Sequence, residues 1–472
     1  MITLNYTKKE ILLFSLSALV GLVIWVMPEP AGVSTQAWHL FAIFMFTVLG
    51  VITKPLPIGS IAFIGMMVAT LTGTLTFKDA ASGFSNNIVW LIVFAFFIAR
   101  GVIKTGLGFR IAYHLMKLLG RSTLGMGYGL VATDLVLASA IPSLTARTGG
   151  VIFPLLSSLC KAFGSEPHSH PRKVGAFLFV TAFQGAVITS GMFVTAMAGN
   201  PMIVELAEQV GITLGWGKWA IAAIVPGLLS LIIVPYVIYK LYPPEMKESP
   251  EAKEFAKKSL KEMGPITLPE IIMLVVFFLL IVLWAGASVF GISPPVTATV
   301  GLSILLISKV ISWDDIVSEK GAWNILVWFS ILLMMASFLT QYGFMSWFSD
   351  VVMQHLQGVN WVAGFSILFL VYFYSHYLFA SNAAHIGSML LPFLVLAIAM
   401  GTPPALAVFS LAFASSLYGG LTHYGCGPAP IFFGAGYVKI GDWWKLGFYI
   451  SIINILIFIG LGSLWWKLIG LY

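Results

Sequence analysis

Apolar residues run along this chain in long unbroken blocks, not in the stripes or alternations of a soluble fold. Residues 271–290 contain no charged side chain, and neither do residues 446–466. Blocks of this length cross ~30 Å of hydrocarbon as helices. In lipid the backbone must satisfy its own hydrogen bonds, so such blocks are helical. The ten-residue alternation of an outer-membrane barrel is absent. The pattern predicts spanning segments near 11–27, 37–53, 57–76, 87–104, 174–204, 218–240, 271–290, 295–311, 322–342, 405–436 and 446–466. Two further blocks, 126–163 and 360–400, are apolar with a polar break in the middle. Each piece beside a break is about 16–18 residues, marginal for crossing. Each block is therefore read as a re-entrant helical hairpin that enters and leaves on one side.

Composition agrees. Of 472 residues, 59% are hydrophobic and 9% charged, against about 25% charged in a soluble domain. The expectation is an all-α polytopic membrane protein with about 11 transmembrane helices and two opposed hairpins. With the N-terminus inside, 20 of the 25 Lys and Arg residues fall on the cytoplasmic side, as the positive-inside rule requires. The net charge of +7 is thus read as loop lysines recording topology, not as a surface for nucleic acid. Lys8 and Lys9 precede a first helix that stays rather than a cleaved signal, and no Arg/Ser-rich transit segment is evident. The expected location is the bacterial inner (plasma) membrane, multi-pass, with lipid as the surrounding partner.

The hydrophilic stretch 241–270 carries both charge signs and predicts an amphipathic surface helix. It separates an N-terminal helix (1–36) and a first repeat (37–240) from a second repeat (271–472). Pro57, Asn87, Ala99 and Gly106 match Pro294, Asn324, Ala336 and Gly343 at an offset of 237. Ser143, Ala146, Gly149 and Pro154 match Ser381, Ala384, Gly387 and Pro392 at 238, and Gly191 and Pro201 match Gly420 and Pro430 at 229. Each repeat holds an odd number of crossings, so the second is inverted. Inverted repeats with broken helices are a secondary-transporter architecture, with the site at mid-membrane between repeats.

Candidate chemistry concentrates in the breaks. Residues 143–150 and 381–388 put hydroxyls or amides at the N-terminal end of each returning half-helix. Free N–H groups and the positive dipole end make an anion site there, and two facing tips suit a small molecule with two negative ends. Ser143 and Ser381 also cap their helices. Arg147 and His385 occupy equivalent positions, four residues after each serine. A mid-membrane arginine costs at least about 2.5–3.5 kcal/mol and marks a pathway or a pair. Arg147 either faces an anionic substrate or pairs with Asp134. His385 either faces the substrate or is buried and neutral with backbone partners. The Gly-rich stretches 189–201 and 418–430 predict unwound helix lining a cavity, bringing in Thr195, Asn200, Thr422 and Tyr424. Close helix packing is the other use of such glycines. Cys160 and Cys426 give no disulfide or metal pattern, and His376, His385 and His423 lack metal spacing. No catalytic constellation such as HExxH is present. Neither an enzyme nor a cofactor or metal is expected. A channel is disfavoured because the hairpins close the path from opposite sides.

These motifs resemble the divalent anion:sodium symporter family over nearly the whole chain. The family shows Ser-Asn-Thr at two opposed hairpin tips that bind the substrate carboxylates. Here those positions read Ser143-Leu144-Thr145 and Ser381-Asn382-Ala383, so Leu144 and Ala383 depart from the pattern at positions that tune substrate preference. The strings 146–150 (Ala-Arg-x-Gly-Gly) and 434–437 (Gly-Ala-Gly-Tyr) look like the exchanger branch of 2-oxoglutarate/malate translocators and citrate/succinate antiporters. The resemblance implies a homodimer with scaffold and transport domains and elevator-type alternating access. It implies small di- or tricarboxylates as cargo, such as 2-oxoglutarate, malate, succinate or fumarate. In sodium-coupled members cations sit behind the tips. Arg147 and a protonated His385 would replace them, giving sodium-independent antiport. A sodium- or proton-coupled symporter is the alternative.

Overall fold

A computed structural model describes residues 7–139, 141–355 and 360–472. Among them every regular element is helical. Among the described residues nine helices are long and apolar enough to cross a membrane, and five shorter apolar ones accompany them. The chain is a multi-pass membrane protein. The predicted spans recur as Lys8–Val26, Thr35–Thr53, Ile58–Leu71, Asn87–Thr105, Trp216–Leu241, Leu268–Ala285, Pro294–Ile307 and Lys320–Gln341. The last span, predicted at 446–466, begins earlier, at Ile440, and passes through a π turn at Leu456–Leu461 before ending at Leu468.

Side-chain caps set the starts. Thr7 with Glu10 and Thr267 with Glu270 form capping boxes, and Ser34 and Asn86 cap the helices that follow them. Each satisfies backbone donors that a helix start leaves open.

Two helices of more than ten residues are absent from the hydrophobic reading, Leu107–Leu119 and Phe344–His355, as are the five-residue helices Phe77–Ala81 and Trp313–Val317. The two longer ones stand out. They begin just after Gly106 and Gly343, the matched glycines, whose φ values of +77° and +78° turn the chain sharply after a span. Leu107–Leu119 carries Arg110, His114 and Lys117, so its apolar face is a stripe rather than a block. The linker helix, Pro250–Met263, packs on it by burying Ala252 and Ala256. Arg110 secures the far end of the linker: Nε and Nη2 donate to the Glu270 carboxylate at 2.6 and 3.1 Å, and Nη1 donates to the Gly264 carbonyl at 3.0 Å.

Both polar breaks fall between two helical arms, and in the second block each arm, Trp361–Leu378 and Asn382–Ala399, is itself long enough to cross a membrane. The first block runs down Thr123–Ala138, breaks before Ser143 and returns through 144–162. The second runs down Trp361–Tyr374, turns at Ser375–Leu378 and returns through 382–399. Each returning helix contains a π turn, Thr148–Ile152 in one and Ile386–Leu390 in the other, again at an offset of 238. The broken segments are as expected. Gly175–Thr189 unwinds and resumes at Gly199–Glu208, and Pro404–Leu417 unwinds and resumes at Ala429–Gly434.

Candidate functional site

The two tips and the two unwound stretches interleave across the repeats. Thr145, at the first tip, lies against Gly427 of the second stretch, so closely that a Cβ on Gly427 would collide with the Thr145 hydroxyl. Asn382, at the second tip, donates from Nδ2 toward Met197 Sδ of the first stretch at 3.4 Å and to the Ser415 carbonyl at 3.2 Å. A Cβ on Gly199 would stand 2.5 Å from Ile386. The long helices meet behind them, where Gln184 Nε2 donates to the Gly420 carbonyl at 2.9 Å. The candidate residues of the two halves therefore converge on one place. Thr145 and Gly427 are exposed, Ser143, Ser381, Ala383 and Tyr424 are half-buried, and the rest are buried.

Both serines cap their tips. Ser143 Oγ accepts from Ala146 N at 3.1 Å and Ser381 Oγ from Ala384 N at 3.4 Å. The N–H groups of Leu144 and Thr145, and of Asn382 and Ala383, belong to the first turn and have no partner within the helix. Several buried polar atoms close by lack a hydrogen-bond partner among the described residues: Asn200 Oδ1, Asn382 Oδ1, Ser416 Oγ and Thr422 Oγ1. Buried polar atoms are nearly always paired, so this cluster marks ground where a ligand or water completes the bonding. Other candidates are already engaged. Thr195 Oγ1 donates to the Ser139 carbonyl at 2.7 Å and accepts from Trp216 Nε1 at 3.0 Å. Asn200 Nδ2 braces the first unwound stretch through the carbonyls of Ser190 and Phe193, at 2.7 and 2.8 Å. Tyr424 Oη donates to the Tyr377 carbonyl at 2.8 Å.

Of the two arrangements open to Arg147, the structure has the pair. Arg147 is fully buried, and its Nε donates to Asp134 Oδ1 at 2.8 Å. Nη1 donates to the carbonyls of Ile141 and Ala196, both at 2.8 Å, and Nη2 reaches Thr189 Oγ1 at 3.5 Å. Thr189 also donates to Asp134 Oδ2. The guanidinium thus ties the returning arm of the hairpin to its descending arm and to the first unwound stretch. It is neutralised inside the protein by the Asp134 carboxylate.

His385 is fully buried too, with a partner that the sequence did not suggest. Its Nδ1 lies 2.9 Å from Nδ1 of His376, on the turn between the arms of the second hairpin. His376 Nε2 donates to the Gly425 carbonyl at 2.8 Å, and His385 Nε2 meets Ser375 Oγ at 3.2 Å. Tyr418 stacks on both imidazoles and Phe379 on His385. The two clusters are related by the repeat. Asp134 and Tyr372 correspond at 238, and Thr189 and Tyr418 at 229. So do the carbonyls of Ala196 and Gly425, the first reached by Arg147 directly and the second by His385 through His376. No group of three or more His, Cys, Asp or Glu that could hold a metal occurs among the described residues.

A family model described as the sodium:sulfate symporter transmembrane region matches residues 8–472. The chain is 53% identical to a putative malate transporter, YflS, of Bacillus subtilis, over 96% of this chain and 95% of that protein. It is 51% identical to the chloroplastic dicarboxylate transporter 1 of Spinacia oleracea, over 97% of this chain and 81% of that protein. It is 38% identical to the inner membrane protein YbhI of Escherichia coli, over 98% and 97%. Among solved structures, the YdaH transporter of Alcanivorax borkumensis superposes with a TM-score of 0.54 at 12% identity, covering 98% of this chain and 97% of that one. That likeness is one of fold.

Proposed function

The chain belongs to the sodium:sulfate symporter family of membrane transporters, and from that premise we propose that it exchanges small dicarboxylates across the bacterial plasma membrane. Relatives named as malate and dicarboxylate transporters support the substrate class. The observation that carries the reading is electrostatic. Two helix N-termini converge with unpaired first-turn donors, and the acidic side chain in this ground, Asp134, is 1% exposed and consumed by Arg147. What the two tips themselves offer a ligand is a pair of N–H-lined poles, the complement of a molecule with a carboxylate at each end. Ser143, Thr145 and the 144–145 amides form one pole, and Ser381, Asn382 and the 382–383 amides the other.

Antiport without sodium follows from what stands behind the tips. Sodium, a hard cation, needs a shell of oxygens. Here a guanidinium, paired with Asp134, fills the ground behind one tip and an imidazole pair fills that behind the other, leaving cationic or N–H groups where such a shell would stand. Exchange is favoured over one-way movement because an empty carrier would cross with its tip donors unpaired, at about 1–3 kcal/mol each. The repeats would move as in an elevator, a transport domain carrying the hairpins past a scaffold within a homodimer, with the N-terminus in the cytoplasm.

Counterflow in proteoliposomes tests this. Labelled malate should enter only vesicles preloaded with a dicarboxylate, at the same rate in sodium and choline buffers. Sodium-dependent uptake into vesicles without internal dicarboxylate would overturn the exchange reading. Indifference to every acid in a panel of the dicarboxylates 2-oxoglutarate, malate, succinate, fumarate and tartrate and the tricarboxylate citrate would overturn the substrate class.

A further inference from the structure

The imidazole pair sits in a chain of four contacts that ends on a backbone carbonyl at both sides. In order they are Gly425 O to His376 Nε2 (2.8 Å), His376 Nδ1 to His385 Nδ1 (2.9 Å), His385 Nε2 to Ser375 Oγ (3.2 Å), and Ser375 Oγ to Tyr372 O (2.9 Å). A carbonyl only accepts, so each of the four contacts needs its own proton to be a hydrogen bond. Two neutral imidazoles and one hydroxyl supply three. In the neutral state one contact is left without a proton, either as two facing lone pairs or as a serine asked to donate twice. A single added proton fills all four. A second is excluded, because two N–H groups cannot face each other at 2.9 Å.

Nothing in the surrounding protein balances that charge. The groups that face the rings are Tyr372 from the descending arm, Phe379 from the break, Tyr418 from the second long helix and the Gly425 carbonyl beside buried Cys426. The Tyr372 hydroxyl is bonded to Ser415, and that of Tyr418 to the Asn382 carbonyl. No Asp, Glu, Lys or Arg contacts either ring among the described residues. Burial penalises an uncompensated imidazolium. The equivalent site in the first repeat has its carboxylate, Asp134; the second has Tyr372 in that place. One helical turn separates His385 from the tip, so a carboxylate bound on the Asn382 and Ala383 amides would stand roughly 5–6 Å away along the axis.

We propose that the His376–His385 pair is a proton site filled together with the substrate, the carboxylate at the second tip serving as the counter-ion that the protein omits. The inference rests on the dicarboxylate reading above. The proton comes from solution, adds to a ring nitrogen and leaves with the substrate, so no other bond changes. His385 then carries a conditional charge rather than a fixed one. Exchanging one dicarboxylate for another moves no net proton, whereas binding to a carrier at rest takes one up. His376 and Ser375 are positioning residues in this scheme.

Calorimetry of malate binding to the purified protein tests it, above a pH of about 7, where an ordinary imidazole is neutral. Repeating the titration in buffers of different ionisation enthalpy gives the number of protons taken up. The wild type should take up close to one per bound dicarboxylate. Ser375→Ala keeps both imidazoles but removes the contact that requires the extra proton, so uptake should fall toward zero and affinity by tenfold or more; His385→Gln should do the same. Binding by the wild type without proton uptake overturns the inference and leaves the substrate class standing. Absence of binding to any dicarboxylate overturns both. The wild-type slope decides even where a variant does not fold.

Discussion

Arg147 and Asp134 form an ion pair sealed inside the first hairpin, Nε to Oδ1 at 2.8 Å, with side-chain exposures of 0% and 1%. The position in the second hairpin equivalent to Asp134 is Tyr372, and the one equivalent to Arg147 is His385. The repeats therefore share a backbone and differ in charge. The first carries a fixed, internally neutralised pair. The second carries a polar relay without an acid.

Breaking the pair from one side leaves an uncompensated charge in a dry place, which costs about 3–5 kcal/mol. Arg147→Ala and Asp134→Asn should each lower the unfolding temperature in detergent and abolish exchange. Asp134→Asn combined with Arg147→Ala should cost less than the sum of the single changes, because neither charge is then stranded. Additive losses would show that the two side chains do not depend on each other, and a stable but inactive Arg147→Ala would return the guanidinium to direct contact with substrate.

Asn382 separates binding from folding more cleanly. Its Oδ1 is unpaired and its Nδ2 makes only the long contacts to Met197 Sδ and the Ser415 carbonyl. Asn382→Ala forfeits little internal bonding. A hydrogen bond to a charged ligand is worth about 1.5–3 kcal/mol, which is roughly a tenfold rise in KM or more. Proteoliposome exchange kinetics should show that rise with little change in thermal stability. An unchanged KM would remove Asn382 from the substrate pole.

Much of this arrangement was legible in the sequence because its signals are coarse or duplicated. Apolar blocks announce the spans, and the offset of 238 singles out the tips twice over. The helix Leu107–Leu119 escaped because Arg110, His114 and Lys117 interrupt its apolar face. Asp134 was visible as a possible partner for Arg147, but not decisive, since the choice depends on how two hairpin arms face each other. His376 stood out only as a histidine without metal spacing, and nothing in the sequence pointed to it as the partner of His385. It lies nine residues before His385 across a turn whose form only the three-dimensional structure reveals. The π turns at 148–152 and 386–390 likewise have no composition of their own.

Gly447 tests the support under the second unwound stretch. A Cβ there would stand 2.6 Å from the Gly420 carbonyl oxygen and 2.8 Å from that of Leu421. Both obstacles are backbone, so no rotamer change relieves them. Gly447→Ala must push the helix Ile440–Ile455 away from residues 418–421, with an overpacking cost of about 1–3 kcal/mol. Lower thermal stability and at least severalfold slower exchange are expected. Wild-type behaviour on both counts would mean that the stretch tolerates displacement.

Lys104, at the end of the span Asn87–Thr105, reaches Asp315 on the short helix Trp313–Val317 and joins the repeats, Nζ to Oδ2 at 2.6 Å. Hydrogen bonds from Lys104, and then from the Ser312 backbone and hydroxyl, hold the Asp315 carboxyl at about 2, below its ordinary 3.8. A carboxyl depressed in the folded state stabilises the fold fully above its ordinary value and loses that contribution as pH falls toward the folded value. The window is therefore pH 3.8 down to about 2. Lys104 is 43% exposed, so screening by solvent limits the contribution to about 1 kcal/mol or less. Thermal unfolding of the wild type and of Asp315→Asn should differ by a small constant amount above pH 4 or so. The two curves should converge as the medium is acidified through that window. A gap that persists unchanged at the acid end would assign the stabilisation to something other than this ion pair.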